Sequence, residues 1–99
     1  MPYIIETWDK DNHMPLRMEH RGAHLEFLEA NKHLLLACGA KLHDDGKDLG
    51  GGIYIVDVET RKEAEDFIAA DPFSKVDLFK KVSVTRWRKA YLDGKNCLK

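Results

Sequence analysis

The chain has 99 residues, 43% of them hydrophobic and 33% charged, which is the composition of one small globular domain and excludes two independent ones. Sixteen Lys plus Arg against seventeen Asp plus Glu leave a formal net charge of −1, so no global field draws in nucleic acid or an anionic membrane. A chain this short buries only about 60–70% of the surface its unfolded form exposes, which favours a self-complementary homodimer. Cys38 and Cys97 form no CxxC pair, and no stretch approaches the roughly 20 apolar residues of a membrane span. The N-terminal residues carry no signal-peptide core, so reduced thiols and a cytoplasmic location are expected.

In chain order, Pro2-Tyr3-Ile4-Ile5-Glu6-Thr7-Trp8 is rich in β-branched and aromatic residues and stops at the polar run Asp9 to His13, which predicts a strand and a loop. Pro15 suits a first helical turn, and Leu16, His20, Ala23, Phe27 and Ala30 recur at helical spacing, so a helix is expected to about Lys32. Gly22 within it marks either close approach of another backbone or a weakened helix. Leu34 to Leu42 predicts a second strand, although its leucines also suit a prolonged helix. After the turn-forming His43-Asp44-Asp45-Gly46-Lys47-Asp48, Gly50-Gly51-Gly52 reads as flexible loop opening a third strand over Ile53 to Val58. Thr60 with Glu63 is a capping-box pattern, in which each side chain would satisfy a backbone N–H, and Ala64, Phe67 and Ile68 give the second helix its apolar face. Asp71-Pro72 ends that helix, Phe73 to Phe79 is a loop or short helical turn, and Val82 to Trp87 alternates as a fourth strand.

The order β-α-β-β-α-β is the split βαβ arrangement of a ferredoxin-like α+β domain, a four-stranded antiparallel sheet with both helices on one face. Its bare face predicts a second copy of the sheet, forming a dimeric α/β barrel whose apolar interior holds a small organic ligand. Residues 1–92 are assigned to this domain and the polar residues 93–99 to a flexible C-terminal tail.

Two residues suggest chemistry. On a helical wheel His24 falls at the edge of the core stripe, with Leu16, Ala23 and Phe27 to one side and Arg17 and Leu28 to the other. An imidazole there can meet both the interior and a cleft, as a general acid or base must, although it can equally be a histidine that only packs. Asp71 is held extended before proline, where its carboxylate can accept the Nδ1–H of a histidine and leave Nε2 free; the plain alternative is a turn-forming aspartate.

Arg21-x-x-His24-Leu25-x-x-Leu28, Asp71-Pro72-Phe73 and Val82-x-Val84, in that order and spacing, resemble the YCII-related (YciI-like) family of dimeric ferredoxin-like α/β-barrel proteins. The resemblance extends from Tyr3 through Trp87. It implies a catalytic dyad of His24 and Asp71, with Arg21 and Phe73 near the cleft, and elimination or isomerisation of a small cyclic or aromatic-derived compound. Such chemistry needs no metal or nucleotide cofactor. Arg21 would attract a carboxylate or phenolate; its plain alternative is a solvated helix arginine, and that of Phe73 is a core residue. The chain departs from the family pattern after the second strand, where Gly39 is kept but Ala40-Lys41-Leu42-His43 replaces the usual proline-containing turn.

Competing readings are less specific. His20 and His24 could share a metal with His43, Asp44 or Asp45, but there is no HExxH pattern, and the Asp44 to Asp48 turn lacks the EF-hand layout. Gly50 to Gly52 precedes a strand and is no phosphate fingerprint. Lys80, Lys81, Arg86, Arg88 and Lys89 flank Trp87, yet strand alternation divides them between two faces, which argues against nucleic acid. The expectation is therefore a cofactor-independent lyase or isomerase, with a non-catalytic ligand-binding or protein-interaction module as the alternative.

Overall fold

The computed structural model describes residues 1–98. Strands β1 (Tyr3–Asp9), β2 (Leu35–Leu42), β3 (Asp48–Val56) and β4 (Phe79–Arg86) form one antiparallel sheet in the order β2-β3-β1-β4. Helices α1 (Met14–Ala30) and α2 (Arg61–Ala70) connect them, and a single helical turn, α3 (Pro72–Lys75), follows α2. The fold is the ferredoxin-like α+β arrangement that the order of elements predicts.

Alternation along β1 puts Tyr3, Ile5, Thr7 and Asp9 under the helices and leaves Ile4, Glu6 and Trp8 on the open face. Tyr54 and Val56 of β3 join the first set; Ala64, Phe67 and Ile68 of α2, with Phe73, Leu78 and Phe79, close the core over them. On the open face Ile4 pairs with Ile55 and Glu6 with Ile53 across the β1–β3 ladder.

Three local expectations are corrected. Gly50 to Gly52 lie inside β3, not in a loop. Gly51 has φ +114, and a Cβ there would meet the Thr7 carbonyl oxygen at 2.0 Å, so this backbone conformation and approach require glycine. The β1–β3 ladder stops at Glu6–Ile53, and the Thr7 hydroxyl takes over by accepting the Gly52 N–H at 2.9 Å. At α2, Thr60 Oγ1 accepts the Glu63 N–H at 3.2 Å, but the Glu63 carboxylate accepts from the Thr60 hydroxyl and not from its backbone, so half of the capping box forms. On α1, Ala23 and Ala30 are exposed while Arg17 is the buried residue, because a buried carboxylate on β1 neutralises it. Gly22 has nothing within 4 Å of a Cβ position, which leaves the weakened helix as its explanation.

The boundary proposed at 92/93 falls within a small hairpin of β5 (Tyr91–Leu92) and β6 (Lys95–Asn96), turned by Asp93 and Gly94 at φ 55 and 75. Residue 99 of the expected tail lies outside the described residues. Among the described residues no helix is long and apolar enough to cross a membrane.

Candidate active site

Asp71 owes its position to the junction of two helices. It caps α3, accepting the Phe73 N–H on Oδ1 at 2.9 Å, while Pro72 starts the turn. Its side chain is wholly buried, and such a carboxylate must be satisfied by donors. Tyr54 donates its hydroxyl to Oδ2 at 2.7 Å, and His24 Nδ1 lies 3.0 Å from both oxygens. Three different elements thus converge on one carboxylate. Burial first, and then the charge of Asp71 and the hydrogen bond to it, push the Tyr54 phenol far above its ordinary value, so Tyr54 stays a donor.

His24 keeps 12% of its side chain exposed. Its ring stacks on Phe73 at 4.1 Å and 14°, and meets Tyr54 edge-on at 6.3 Å. Phe73 therefore has two contacts with the pair: its backbone holds Asp71 and its ring sets the plane of His24. With Nδ1 committed to the carboxylate as a donor, Nε2 is the basic nitrogen.

The pair borders a cavity of about 250 Å³, enclosed by Arg17, Arg21, His24, Leu25 and Leu28 of α1, by Cys38 to Ala40 of β2, by Gly51, Gly52 and Tyr54 of β3, and by Phe73. This cavity lies beneath α1, on the helix-covered side of the sheet. The reason is side-chain size: where β2 and β3 pass under α1 they present cysteine, alanine and glycines, which do not fill the gap. Burial and then the charge of Asp71 push the Cys38 thiol up to about 11, so it is protonated at neutral pH.

All four expected site residues meet here: His24, Arg21 and Phe73 line the cavity, and Asp71 stands directly behind His24. Ala40, from the segment that departs from the family pattern, also lines it. Arg17 and Tyr54 were not foreseen. For Arg17 a signal existed, since Arg17, Arg21 and His24 at i, i+4 and i+7 share a helix face; for Tyr54 nothing local distinguishes a catalytic-site phenol from a core one. Among the described residues no three His, Cys, Asp or Glu side chains gather as metal ligands. The basic segment divides as alternation requires, with Lys81 opposite Trp8 on the open face and Arg86 opposite Tyr3 on the other.

The sequence profile of the YCII-related domain matches residues 1–88. Among curated proteins none matches the chain. Among solved structures, the 5-chloro-2-hydroxyhydroquinone dehydrochlorinase of Burkholderia phenoliruptrix AC1100, in complex with 2,5-dihydroxybenzoquinone, is 32% identical, with a TM-score of 0.81 over 89% of this chain and 94% of that one. A protein of Agrobacterium tumefaciens is similar in fold, at 17% identity and a TM-score of 0.52 over 94% of this chain and 98% of that one.

Proposed function

This chain belongs to the YCII-related family, and from that premise we propose that it is a cofactor-independent enzyme performing acid–base chemistry on a small oxygenated ring compound, by elimination or isomerisation. The observation that carries this reading is the His24 and Asp71 pair at 3.0 Å on the wall of a cavity large enough for one ring. The 32% identical dehydrochlorinase, which binds 2,5-dihydroxybenzoquinone, supports the elimination branch and a hydroxylated six-membered ring as ligand.

In this mechanism His24 Nε2 takes a proton from a hydroxyl or carbon of the substrate, and Asp71 stabilises the imidazolium that forms. The electron pair left behind becomes a new double bond. In an elimination the leaving group departs with its own pair and the imidazolium returns its proton to solvent. In an isomerisation the proton returns to another carbon. Arg21 attracts the developing oxyanion and Phe73 keeps the imidazole in plane.

The working form is a homodimer in the cytoplasm, with the open sheet face covered by the same face of a second copy. Ile53 is 39% exposed there, beside half-buried Ile4 and Ile55. The charges of that face are largely satisfied within it: Lys41 pairs with Glu6, and Lys41 and Lys81 both lie on the Trp8 ring, at 4.2 and 4.7 Å.

The experiment is a comparison of His24→Ala with the unmodified chain, measuring release of leaving group from a chlorinated hydroxyhydroquinone and affinity for 2,5-dihydroxybenzoquinone. Turnover is expected to fall at least about 100-fold, the usual worth of a general base, with affinity nearly unchanged. Loss of binding alone, with no turnover in the parent chain, would replace the enzyme by a ligand-binding module, and an effect of the substitution on neither turnover nor affinity would remove His24 and this cavity as the site.

A further inference from the structure

Asp71 collects more donors than the orientation of one histidine requires. The Phe73 N–H reaches Oδ1 at 2.9 Å and the Tyr54 hydroxyl reaches Oδ2 at 2.7 Å, while His24 Nδ1 stands 3.0 Å from both oxygens. The shortest bond to the carboxylate is therefore the phenol's and not the imidazole's. A wholly buried carboxylate with no donor but His24 would bring its full charge to bear on the imidazole, and each further donor takes up part of that charge.

Tyr54 is held firmly in this place. It lies on an inner strand, in register with Ile5 of β1 on one side and Cys38 of β2 on the other. Its ring meets Phe67 at 6.1 Å and 74°, and the His24 ring edge-on. Burial and the neighbouring carboxylate keep its phenol from ionising, so the hydroxyl proton stays on Asp71 throughout the range in which an imidazole titrates. The other polar groups on the cavity wall beside His24 are Arg17 and Arg21 of its own helix and Cys38 of β2. Arg17 is paired with Asp9, and the Cys38 thiol is protonated at neutral pH. Among the described residues Asp71 is the one carboxylate within ion-pair distance of the imidazole, so control over how tightly an imidazolium is held has to act through Asp71.

We propose that Tyr54 is a positioning residue that acts through Asp71: its hydroxyl takes up part of the carboxylate's charge, so that the imidazolium formed in turnover is held loosely enough to pass its proton on and His24 returns to its basic form. The inference rests on the reading of His24 as the base and adds to the pair a residue from a different element. Without the hydroxyl, more of the charge of Asp71 falls on His24, and the base stays occupied by its proton up to higher pH. The phenol itself neither gains nor loses a proton in this role.

The test compares two variants of the full chain: Tyr54→Phe, which removes the hydroxyl and keeps the ring, and Tyr54→fluorotyrosine, with fluorine ortho to the hydroxyl, which keeps the bond and makes the phenol a stronger donor. Two quantities are read, kcat/KM against pH for the chlorinated hydroxyhydroquinone and the low-field proton resonance of His24 Nδ1–H in the unliganded chain. Tyr54→Phe is expected to lower kcat/KM about 3- to 10-fold on the acid side of the profile, the weight of one net hydrogen bond, with the alkaline plateau kept, and to move the resonance downfield as the bond from His24 to Asp71 tightens. Fluorotyrosine is expected to move both in the opposite direction. A loss that is uniform across pH with an unmoved resonance, or no change in either quantity, overturns the positioning role and leaves Tyr54 as a donor that satisfies a buried carboxylate and nothing more. Should Tyr54→Phe fail to fold, the fluorotyrosine chain decides alone, and an unshifted profile and resonance in it overturn the proposal. Absence of turnover in the unmodified chain overturns the enzyme reading by itself, whereas the resonance, read without substrate, still decides whether Tyr54 governs the pair.

Discussion

Asp71 shows how much one residue can be asked to do: it starts α3, anchors a tyrosine hydroxyl and orients an imidazole, all with two oxygens. Sequence context legibly marked it, because proline at the next position forces an extended, cap-like conformation. Its partner Tyr54 was hidden, since alternation in β3 says only that the side chain points inward. Cys38 carries the pH prediction of the site. Its thiol is raised from 9.0 to about 11, so the folded chain keeps a proton that the unfolded chain releases. That contribution to stability is present below pH 9 and is lost as pH rises toward 11, and it is small because Cys38 still keeps contact with solvent. Cys38→Ala is accordingly expected to flatten the fall in Tm across this interval, measured by thermal scans in a buffer series; an unaltered slope would show that the thiol gains no protection on folding.

Among the elements, β3 departs most from its sequence reading. Three consecutive glycines score as loop by composition, yet they continue the strand because the sheet needs the backbone to come close at that point. Gly51→Ala places a methyl against the Thr7 carbonyl in a left-handed conformation and is expected to destabilise the fold by at least ~2 kcal/mol. Chemical denaturation measures this, and a loss under 0.5 kcal/mol, the range of ordinary surface substitutions, would contradict the close approach. Helix α1 departs in part: Leu16 and Phe27 of its expected apolar stripe pack against the core, but Ala23 and Ala30 are exposed and Arg17, paired with Asp9, is the buried residue.

For the whole molecule, the unresolved balance lies on the open sheet face. Sheet-on-sheet association of two copies would remove Ile53 and its neighbours from water. Sedimentation at micromolar concentration is expected to give twice 11.4 kDa, and Ile53→Lys to shift the mass toward one chain. A single 11.4 kDa species in the unmodified protein would show that the face stays solvated.

Order and type of the main elements were determined by the sequence alone, because they follow from local quantities: alternation in strands, three- and four-residue spacing in helices, and proline or capping residues at their ends. Family membership followed from short motifs whose spacing survives in one dimension. The tertiary structure alone decided which donors satisfy Asp71, that Arg17 is locked by Asp9, and that the cavity opens under the helix. Each of these depends on residues far apart in the chain meeting at a few ångströms, and on a void left by small side chains across from α1. Neither pairings at such separations nor empty space has a signature in local composition.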